Sequence, residues 1–346
     1  EDYIDEIHYW TPEHPNLYDV TVSYASDGQT DQVFTYFGFR DVCTRDGKTL
    51  LNHRPIYQRL ILHQGYYDGG LLTADTDERY RTDLQTIKDM GFNGVRMHQK
   101  IEDPLFYYWA DKLGLLVWGE LPSCYEFSEL AMRRSFESMR EFIQRDYNHP
   151  SIMCWVPLNE SWGVRNIEQN AAQQRYAVSL YHFIKALDST RWVSTNDGWE
   201  QVTTDFCTLH DYSFDGKALS SRWDDLDALL QSAAQDRMIF ASGYQYTGQP
   251  ILLTEFGGVA FKTNQSEKDW GYCAIEKNEA SYIRRLTSLF SYIKTNRRIQ
   301  GYCYTQFTDV MQETNGLLSI RREPKIAIDA IRSILFGTDD SAPLSP

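Results

Sequence analysis

The first forty residues alternate apolar and polar side chains with a period of two. The alternation runs through residues 17–24 and again through 33–37, with Asp27-Gly28 between the two runs. This period is typical of β-strands, and Asp-Gly is a favoured hairpin turn. Because an isolated hairpin is only marginally stable in water, we expect the segment to belong to a sheet whose other strands lie outside the sequence.

From residue 56 onward, short apolar runs alternate with stretches of helical periodicity. The eight runs predicted as strands cover 56–62, 94–97, 115–118, 152–156, 192–195, 206–209, 251–254 and 301–304. The predicted helices cover 77–90, 104–113, 129–146, 167–187, 224–235 and 276–296, and Gly91 and Gly114 are the expected C-caps of the first two.

Strands this apolar are buried on both faces, which favours an α/β fold in which a parallel (β/α)8 TIM barrel follows a short all-β segment. An open doubly wound sheet is the alternative. It is less favoured because no glycine-rich phosphate loop follows the first strand.

The composition excludes wholesale disorder, since 42% of the 346 residues are hydrophobic and 24% are charged. Lys+Arg 34 against Asp+Glu 48 gives a net charge of -14, which repels nucleic acids and anionic lipid surfaces. No apolar run approaches the ~20 residues of a membrane-spanning helix, and residues 1–6 are acidic where a signal peptide is basic. We therefore expect no nucleic-acid or membrane partner, and a cytoplasmic location is favoured for the chain as given.

The six cysteines are scattered and contain no Cys-x-x-Cys pair. Three of them, Cys154, Cys207 and Cys303, lie inside predicted strands. We expect free thiols, with a disulfide framework as the less favoured alternative.

Polar side chains follow the predicted strands, at the points where the strands end. They are His63, Gln64, Arg96, His98, Glu120, Asn159, Glu160, Asn196, Asp197, His210, Asp211, Glu255, Gln306 and Asp309. Each alone could be a helix cap or a solvated loop residue. Because the carboxyl ends of barrel strands meet at one rim, together they predict an active site there.

Two of these residues, Glu160 and Glu255, each end an apolar strand. The structural alternatives are a surface loop acid for Glu160 and a buried ion pair with Arg96 for Glu255. Paired carboxylates in an aromatic cleft are what glycosidic bond cleavage requires. The predicted sugar contacts are the aromatic residues Trp162 and Trp199 and the polar residues His63, Arg96, His98, Asn159, Asn196, Asp197, His210 and Tyr212.

Three segments together resemble glycoside hydrolase family 2, the β-galactosidase, β-glucuronidase and β-mannosidase group. They are Asn159-Glu160, Thr254-Glu255-Phe256-Gly257 and residues 10–18, WTPEHPNLY. The resemblance implies a retaining mechanism with Glu160 as general acid/base and Glu255 as nucleophile. It also implies that Asn159 binds the sugar 2-hydroxyl and that Tyr212 orients Glu255.

The same resemblance implies a domain division. Residues 1–40 would be the C-terminal strands of an immunoglobulin-like β-sandwich, residues 41–338 the catalytic barrel and residues 339–346 a tail.

Two segments depart from the family pattern. Residues 305–309, TQFTD, replace a Trp-x-Phe-x-Asp pattern, so we expect Trp199 or Trp162 to replace the missing aromatic platform. After Glu255, Lys262-Thr263-Asn264 stands where family glucuronidases have Asn-x-Lys, which argues mildly against a glucuronide substrate.

The sequence therefore predicts a retaining exo-β-glycosidase, most similar to a β-galactosidase, that needs no cofactor and no metal. A β-glucuronidase, another β-hexosidase or a pentosidase on the same scaffold is the first alternative, and a catalytically silent carbohydrate-binding barrel is the second. A metal-dependent hydrolase using His63, His98, His210 and Asp309 is disfavoured because no ligand motif links them. A homo-oligomer remains open.

Overall fold

The computed structural model describes residues 6–231, 237–261 and 267–337. The strands are β1 (Tyr18–Ser26), β2 (Gln29–Phe37), β3 (Val42–Arg45), β4 (Lys48–Leu51), β5 (Arg54–Pro55), β6 (Gln58–His63), β7 (Gly94–Met97), β8 (Leu116–Glu120), β9 (Ile152–Val156), β10 (Trp192–Val193), β11 (Cys207–Asp211), β12 (Ile251–Gly257), β13 (Val259–Phe261), β14 (Ala274–Glu276) and β15 (Ile299–Thr305). The helices are α1 (Asp77–Asp89), α2 (Pro104–Leu113), α3 (Glu129–Asp146), α4 (Ala171–Leu187), α5 (Gly216–Trp223), α6 (Leu226–Gln231), α7 (Glu279–Thr295) and α8 (Ile328–Phe336).

Eight parallel strands form one curled sheet in the order β10-β9-β8-β7-β6-β15-β12-β11. Helices follow seven of the eight strands and none lies between β10 and β11. The predicted (β/α)8 architecture is confirmed. None of the described helices is long and apolar enough to cross a lipid bilayer.

The two ends of this sheet, β10 and β11, are not joined by a backbone ladder in the described part of the chain. The Gln201 side chain instead bonds to the β11 edge of this seam. It donates to Thr208 O (2.6 Å) and accepts from Thr208 N (3.1 Å), as a neighbouring strand would do. A side-chain amide therefore completes the hydrogen bonding of β11 at the seam.

The strands separate two apolar layers. The inner layer fills the barrel with residues such as Leu60, Leu62 and Trp118, and the outer layer packs the helices onto the sheet. Trp10 and Leu51 belong to the inner layer, and the Trp10 indole donates to Asp111 O (2.9 Å). These two side chains close the amino-terminal end of the barrel, which we call the floor.

The predicted hairpin is present as β1 and β2, which pair antiparallel across their whole length. Asp27 (φ 51°) and Gly28 (φ 77°) are both left-handed, which suits a type I′ turn. One face of the hairpin is apolar and exposed, as Val22 and Tyr24 show. Its assignment to a sandwich domain remains a prediction.

The structure differs from the predicted elements at several places. A three-stranded antiparallel sheet, β3-β4-β5, occupies residues 42–55, where its strands are too short to show a period. The predicted helix from 167 begins at Ala171 because the Asn170 side chain caps it, accepting from Ala172 N and Gln173 N. The predicted helix 224–235 is replaced by α5 and α6, and residues 232–235 and the predicted tail 339–346 lie outside the described residues.

Candidate active site

Glu160 lies in the loop after β9, at the carboxyl end of the barrel. Glu160 (φ 51°) and Ser161 (φ 57°) both have left-handed backbones. The loop is fixed by hydrogen bonds from Glu160 N to Asp197 O (2.9 Å) and from Ser161 N to Asn196 Oδ1 (3.0 Å). Asn196, predicted to contact sugar, is instead fully buried and shapes this loop.

Glu255 lies within β12 at the same rim. The register between β11 and β12 shifts after Leu209, so that His210 stands opposite Glu255. Bulges of this kind re-aim side chains next to active sites. Tyr212 Oη donates to Glu255 Oε2 (2.5 Å) and Arg96 donates to Oε1 (3.0 Å), so each carboxylate oxygen has a donor.

The two carboxylates approach each other closely. A carboxylate oxygen of Glu160, a ring nitrogen of His210 and a carboxylate oxygen of Glu255 all lie within 4.8 Å of one another. The Glu160 side chain is 22% exposed and that of Glu255 7%. Both groups therefore face one shared space.

Arg96 is a completely buried cation at the centre of the rim. Its guanidinium donates to Glu120 (2.9 Å), Asn159 Oδ1 (2.7 Å) and Glu255, and it lies 2.7 Å from Asp197 Oδ2. Burial raises the pKa of Asp197, but Arg96 and His210 outweigh this and hold it well below its ordinary value. Arg96 thus organises carboxylates, and the ion pair considered for Glu255 exists inside the site.

His210 connects Glu160 to Asp197. Its Nδ1 lies 2.7 Å from Glu160 Oε1 and its Nε2 lies 2.9 Å from Asp197 Oδ2. Burial lowers the pKa of His210, but Glu255, Asp197 and Glu160 together raise it to about 10. The imidazole is therefore cationic at neutral pH.

From the sequence, burial and the neighbouring Glu255 carboxylate are expected to raise the pKa of Glu160, as the role of a general acid demands. Burial does raise it, but the hydrogen bond and charge of His210 outweigh burial and lower the pKa below its ordinary value. The expectation was wrong for the unliganded site because the sequence did not place a cation beside Glu160.

A cavity of about 360 Å³ opens above the two glutamates. Three further predicted residues, His98, Asn159 and Trp162, lie on its wall. Its other lining residues, which the strand-end argument missed, are Gln99, Ser123, Cys124, Tyr125 and Tyr272. Tyr272 stacks on Tyr212 with ring centroids 4.4 Å apart, but it lies in a loop without any period that sequence could show.

His63 does not reach the site. Side chains two residues apart in a strand lie on the same face, so His63 shares the outward face of β6 with Ile61. The centroid of its ring lies 5.1 Å from that of Phe307. Its Nδ1 accepts from Gly65 N (2.8 Å) and its Nε2 lies 3.5 Å from Asp83. His63 is therefore not among the residues that line the cavity, and burial lowers the pKa of this imidazole.

Trp199 also lies off the cavity wall. It is 6% exposed, and its ring centroid is 5.6 Å from that of His210. Thr305, which stands at the tryptophan position of the Trp-x-Phe-x-Asp pattern, is buried, and its Oγ1 accepts from Tyr212 Oη (3.3 Å). Of the two proposed replacement platforms, only Trp162 lines the cavity, where the Arg165 guanidinium lies 4.4 Å from its ring centre.

His98 is the one histidine among the residues that line the cavity. Its Nδ1 lies 3.4 Å from Glu120 and 4.0 Å from Glu255. Burial lowers the pKa of His98, but these two carboxylates outweigh burial and raise it.

Among the described residues, the one group that could supply three metal ligands is Glu160, His210 and Glu255. The ligands considered from sequence are not brought together, since His63 lies against Asp83 and Asp309 pairs with Lys325. Both ring nitrogens of His210 face carboxylates, and the carboxylates raise the pKa of the ring against burial, which favours a hydrogen on each nitrogen over a lone pair for a metal.

Comparisons with known proteins agree with this architecture. Residues 42–334 match the family description "Glycosyl hydrolases family 2, TIM barrel domain", and residues 3–40 match "Glycosyl hydrolases family 2". A β-galactosidase of Thermoanaerobacterium thermosulfurigenes is 26% identical over 81% of the chain, and a β-glucuronidase of Streptococcus agalactiae is 26% identical over 93%. The chain spans 37% and 57% of these relatives, less than two thirds of their length.

Solved structures show the same fold. A GH2 β-galacturonidase of Eisenbergiella tayi superposes with a TM-score of 0.74 at 21% identity, covering 95% of this chain and 59% of that one. The β-D-glucuronidase of Dictyoglomus thermophilum gives a TM-score of 0.77 at 20% identity, with coverages of 96% and 60%. With the match of residues 42–334, the barrel and its paired rim glutamates have one common explanation: the chain belongs to glycosyl hydrolase family 2.

Proposed function

We propose that this chain carries the catalytic barrel of a retaining exo-β-glycosidase that hydrolyses terminal β-linked sugars, with β-galactoside-like substrates. The observation that carries the proposal is the approach of Glu160 and Glu255 to within 4.8 Å at one cavity. Retaining enzymes hold their carboxyl groups about 5 to 5.5 Å apart, and inverting enzymes about 6.5 to 9.5 Å. The short approach supports the retaining pathway.

In the proposed mechanism, Glu255 attacks the anomeric carbon while Glu160 protonates the leaving oxygen. Water, activated by Glu160, then hydrolyses the glycosyl ester. Arg96 and Tyr212 support Glu255 as nucleophile because both donate to its carboxylate. Asn159 Oδ1 accepts from Arg96, which turns the amide NH2 toward a sugar hydroxyl.

The cavity wall supports a neutral sugar. Within the described residues it contains no lysine or arginine, and His98 is its one histidine. A uronic acid would bring a carboxylate to a site that already holds those of Glu160, Glu255 and Glu120. The segment Lys262-Thr263-Asn264 lies outside the described residues.

A β-glucuronidase is the second candidate, because relatives and fold neighbours carry that name. A silent carbohydrate-binding barrel is the third. We also propose the division into residues 1–40 as sandwich strands and 41–338 as catalytic barrel, with a carbohydrate as the partner of the barrel.

One experiment separates these candidates. The purified protein is assayed with nitrophenyl β-galactoside, β-glucuronide and β-galacturonide, with the α-anomers as controls, and NMR follows the anomer first released. We expect the β-galactoside to give the highest kcat/KM with retained configuration. A higher kcat/KM with a uronide would select the second candidate, and no hydrolysis of any β-glycoside would select the third.

A further inference from the structure

His210 lies beside the two proposed catalytic carboxylates without lining the cavity. The ring is fully buried, with Nδ1 2.7 Å from Glu160 Oε1 and Nε2 2.9 Å from Asp197 Oδ2. Carboxylate oxygens are acceptors, so both contacts are hydrogen bonds only if each ring nitrogen carries a hydrogen. With both carboxylates ionised, this geometry therefore fits a ring that carries a proton on each nitrogen.

Charged groups from four elements face this ring. Glu160 comes from the loop after β9, Asp197 from the loop after β10, Glu255 from β12 (3.6 Å) and Arg96 from β7 (3.4 Å). Three carboxylates outweigh one guanidinium, so the surroundings favour the imidazolium.

The remaining space around the ring is closed. Trp199 packs beside it, and a Cβ added to Gly198 would lie 2.7 Å from Nδ1. The ring therefore has no room to turn away from Glu160.

We propose that His210 holds the proton that Glu160 delivers to the leaving group, as a positioning residue that acts through Glu160; this rests on the proposed function. In the first step, the Nδ1–H bond breaks and an O–H bond forms on Glu160. Glu160 then protonates the glycosidic oxygen as its bond to the anomeric carbon breaks and Glu255 bonds to that carbon. In the second half, water gives its oxygen to the anomeric carbon and a proton to Glu160, the ester to Glu255 breaks, and the proton returns to Nδ1.

Sugar binding drives the first transfer. In the free site, 22% of the Glu160 side chain is exposed, and water there stabilises its charge. A bound sugar displaces this water, which makes the charged carboxylate–imidazolium pair less favourable than the neutral acid–imidazole pair. Asp197 stays ionised beside Arg96 and keeps the hydrogen on Nε2.

The proposal predicts a shift of the pH profile. Because the two groups titrate as one pair, the loss of their shared proton sets the alkaline limb of kcat/KM. In His210→Asn or His210→Gln, Glu160 alone must hold the proton, and a carboxylic acid loses its proton at lower pH than the pair does. We therefore expect the alkaline limb of kcat/KM to move to lower pH by about 2 pH units or more. Asp197→Asn should move it in the same direction by less. His182→Asn, an exposed histidine on α4, is the matched control and should leave the limb in place.

Two other outcomes would overturn the proposal. An upward shift of the alkaline limb in the His210 variants would mean that His210 only stabilises ionised Glu160. An unmoved limb with slower turnover would mean that His210 contributes only packing to the site. If no β-glycoside were hydrolysed by the wild type, the proposed function would fail; hydrolysis with an unmoved limb would remove only the role of His210.

A second measurement does not depend on the stability of the variants. In wild-type protein with 15N-labelled histidine, both ring nitrogens of His210 should be protonated in the free state at pH 7. Saturation with the thioglycoside of the best substrate should remove the hydrogen from Nδ1. A ring that stays doubly protonated in the complex would contradict the transfer.

Discussion

At the scale of single residues, Glu160 and Glu255 differ in what surrounds them. Glu255 is nearly buried and accepts hydrogen bonds from Arg96 and Tyr212, which suits a group that must stay ionised. Glu160 is more exposed and shares its contact with a histidine that can hold a proton. These surroundings assign the proposed nucleophile and acid/base to different glutamates.

Glu160→Ala should lower kcat/KM by about 10²- to 10⁴-fold on substrates with poor leaving groups, the usual contribution of a positioned acid. The loss should be smaller with activated aryl glycosides, which need little protonation to depart. Azide should partly restore turnover and give a glycosyl azide of retained configuration, measured by NMR. Glu141→Ala, at an exposed position of α3, is the control, and an equal loss on both leaving groups would argue against an acid role.

Glu255→Ala should abolish turnover on all substrates, because no other group can form the glycosyl ester. Any azide rescue should give the glycosyl azide of inverted configuration. Exchange of the two azide configurations between this variant and Glu160→Ala would reverse the proposed roles.

Gly198→Ala tests how closely the backbone supports His210. Gly198 has φ 103°, and an added Cβ would lie 2.7 Å from the imidazole. Gly248 has φ 100° with nothing within 4 Å, so Gly248→Ala carries the same backbone strain without the contact. Both variants should lose about 1 kcal/mol or more of unfolding free energy. Only Gly198→Ala should also lose kcat/KM, by about 10-fold or more; equal activities would contradict this reading.

The sequence could predict the two glutamates because each ends a strand that is apolar throughout. It could not predict the side chain direction of His63, because a shift of one position along a strand reverses the face. It also could not predict that His210 lies between the carboxylates of Glu160 and Asp197. That outcome depends on distances between strands far apart in sequence.

At the scale of elements, prediction succeeded where a period was long enough to read. The bounds of α2 and α3 agree with those predicted from helical spacing, and all eight barrel strands were located. The fifth strand is only Trp192–Val193, and the chain after it holds the loop of Glu160, with Asp197 O accepting from Glu160 N and Asn196 Oδ1 from Ser161 N. A run of apolar residues does not contain that information.

Gln201→Ala should weaken the seam between β10 and β11. The substitution leaves the N–H and C=O of Thr208 without their partner in a buried position, and each such group costs about 1 to 3 kcal/mol. We expect the free energy of unfolding in urea to fall by about 2 to 4 kcal/mol. Gln169→Ala, at an exposed position, is the control and should change the free energy of unfolding by less than about 0.5 kcal/mol. An equally small change for Gln201→Ala would show that β11 does not need the Gln201 side chain at the seam.

At the scale of the whole molecule, the buried charges give stability a defined pH range. His210 has a folded pKa raised from 6.5 to about 10, so its contribution is complete below about pH 6.5 and is lost as the pH rises toward 10. Asp83 and Asp197 have lowered pKa values, so their contributions are present above their ordinary 3.8 and are lost as the pH falls.

The urea unfolding midpoint should therefore decline from pH 7 to 9. The pKa values of His210 and His98 are raised in the folded protein. In the unfolded chain these two histidines therefore lose their protons at lower pH than in the folded protein, which favours unfolding as the pH rises. His210→Asn should flatten the decline between pH 7 and 9. A wild-type midpoint that rises across this interval would contradict the charge assignment.

The closed floor of the barrel has a consequence for the kinetics of the proposed reaction. Trp10 and Leu51 are buried in the inner layer at the amino-terminal end, and the cavity opens at the carboxyl end. The released sugar must leave by the same mouth through which the next glycoside enters. Free sugar should therefore act as a competitive product inhibitor, raising the apparent KM while leaving kcat unchanged.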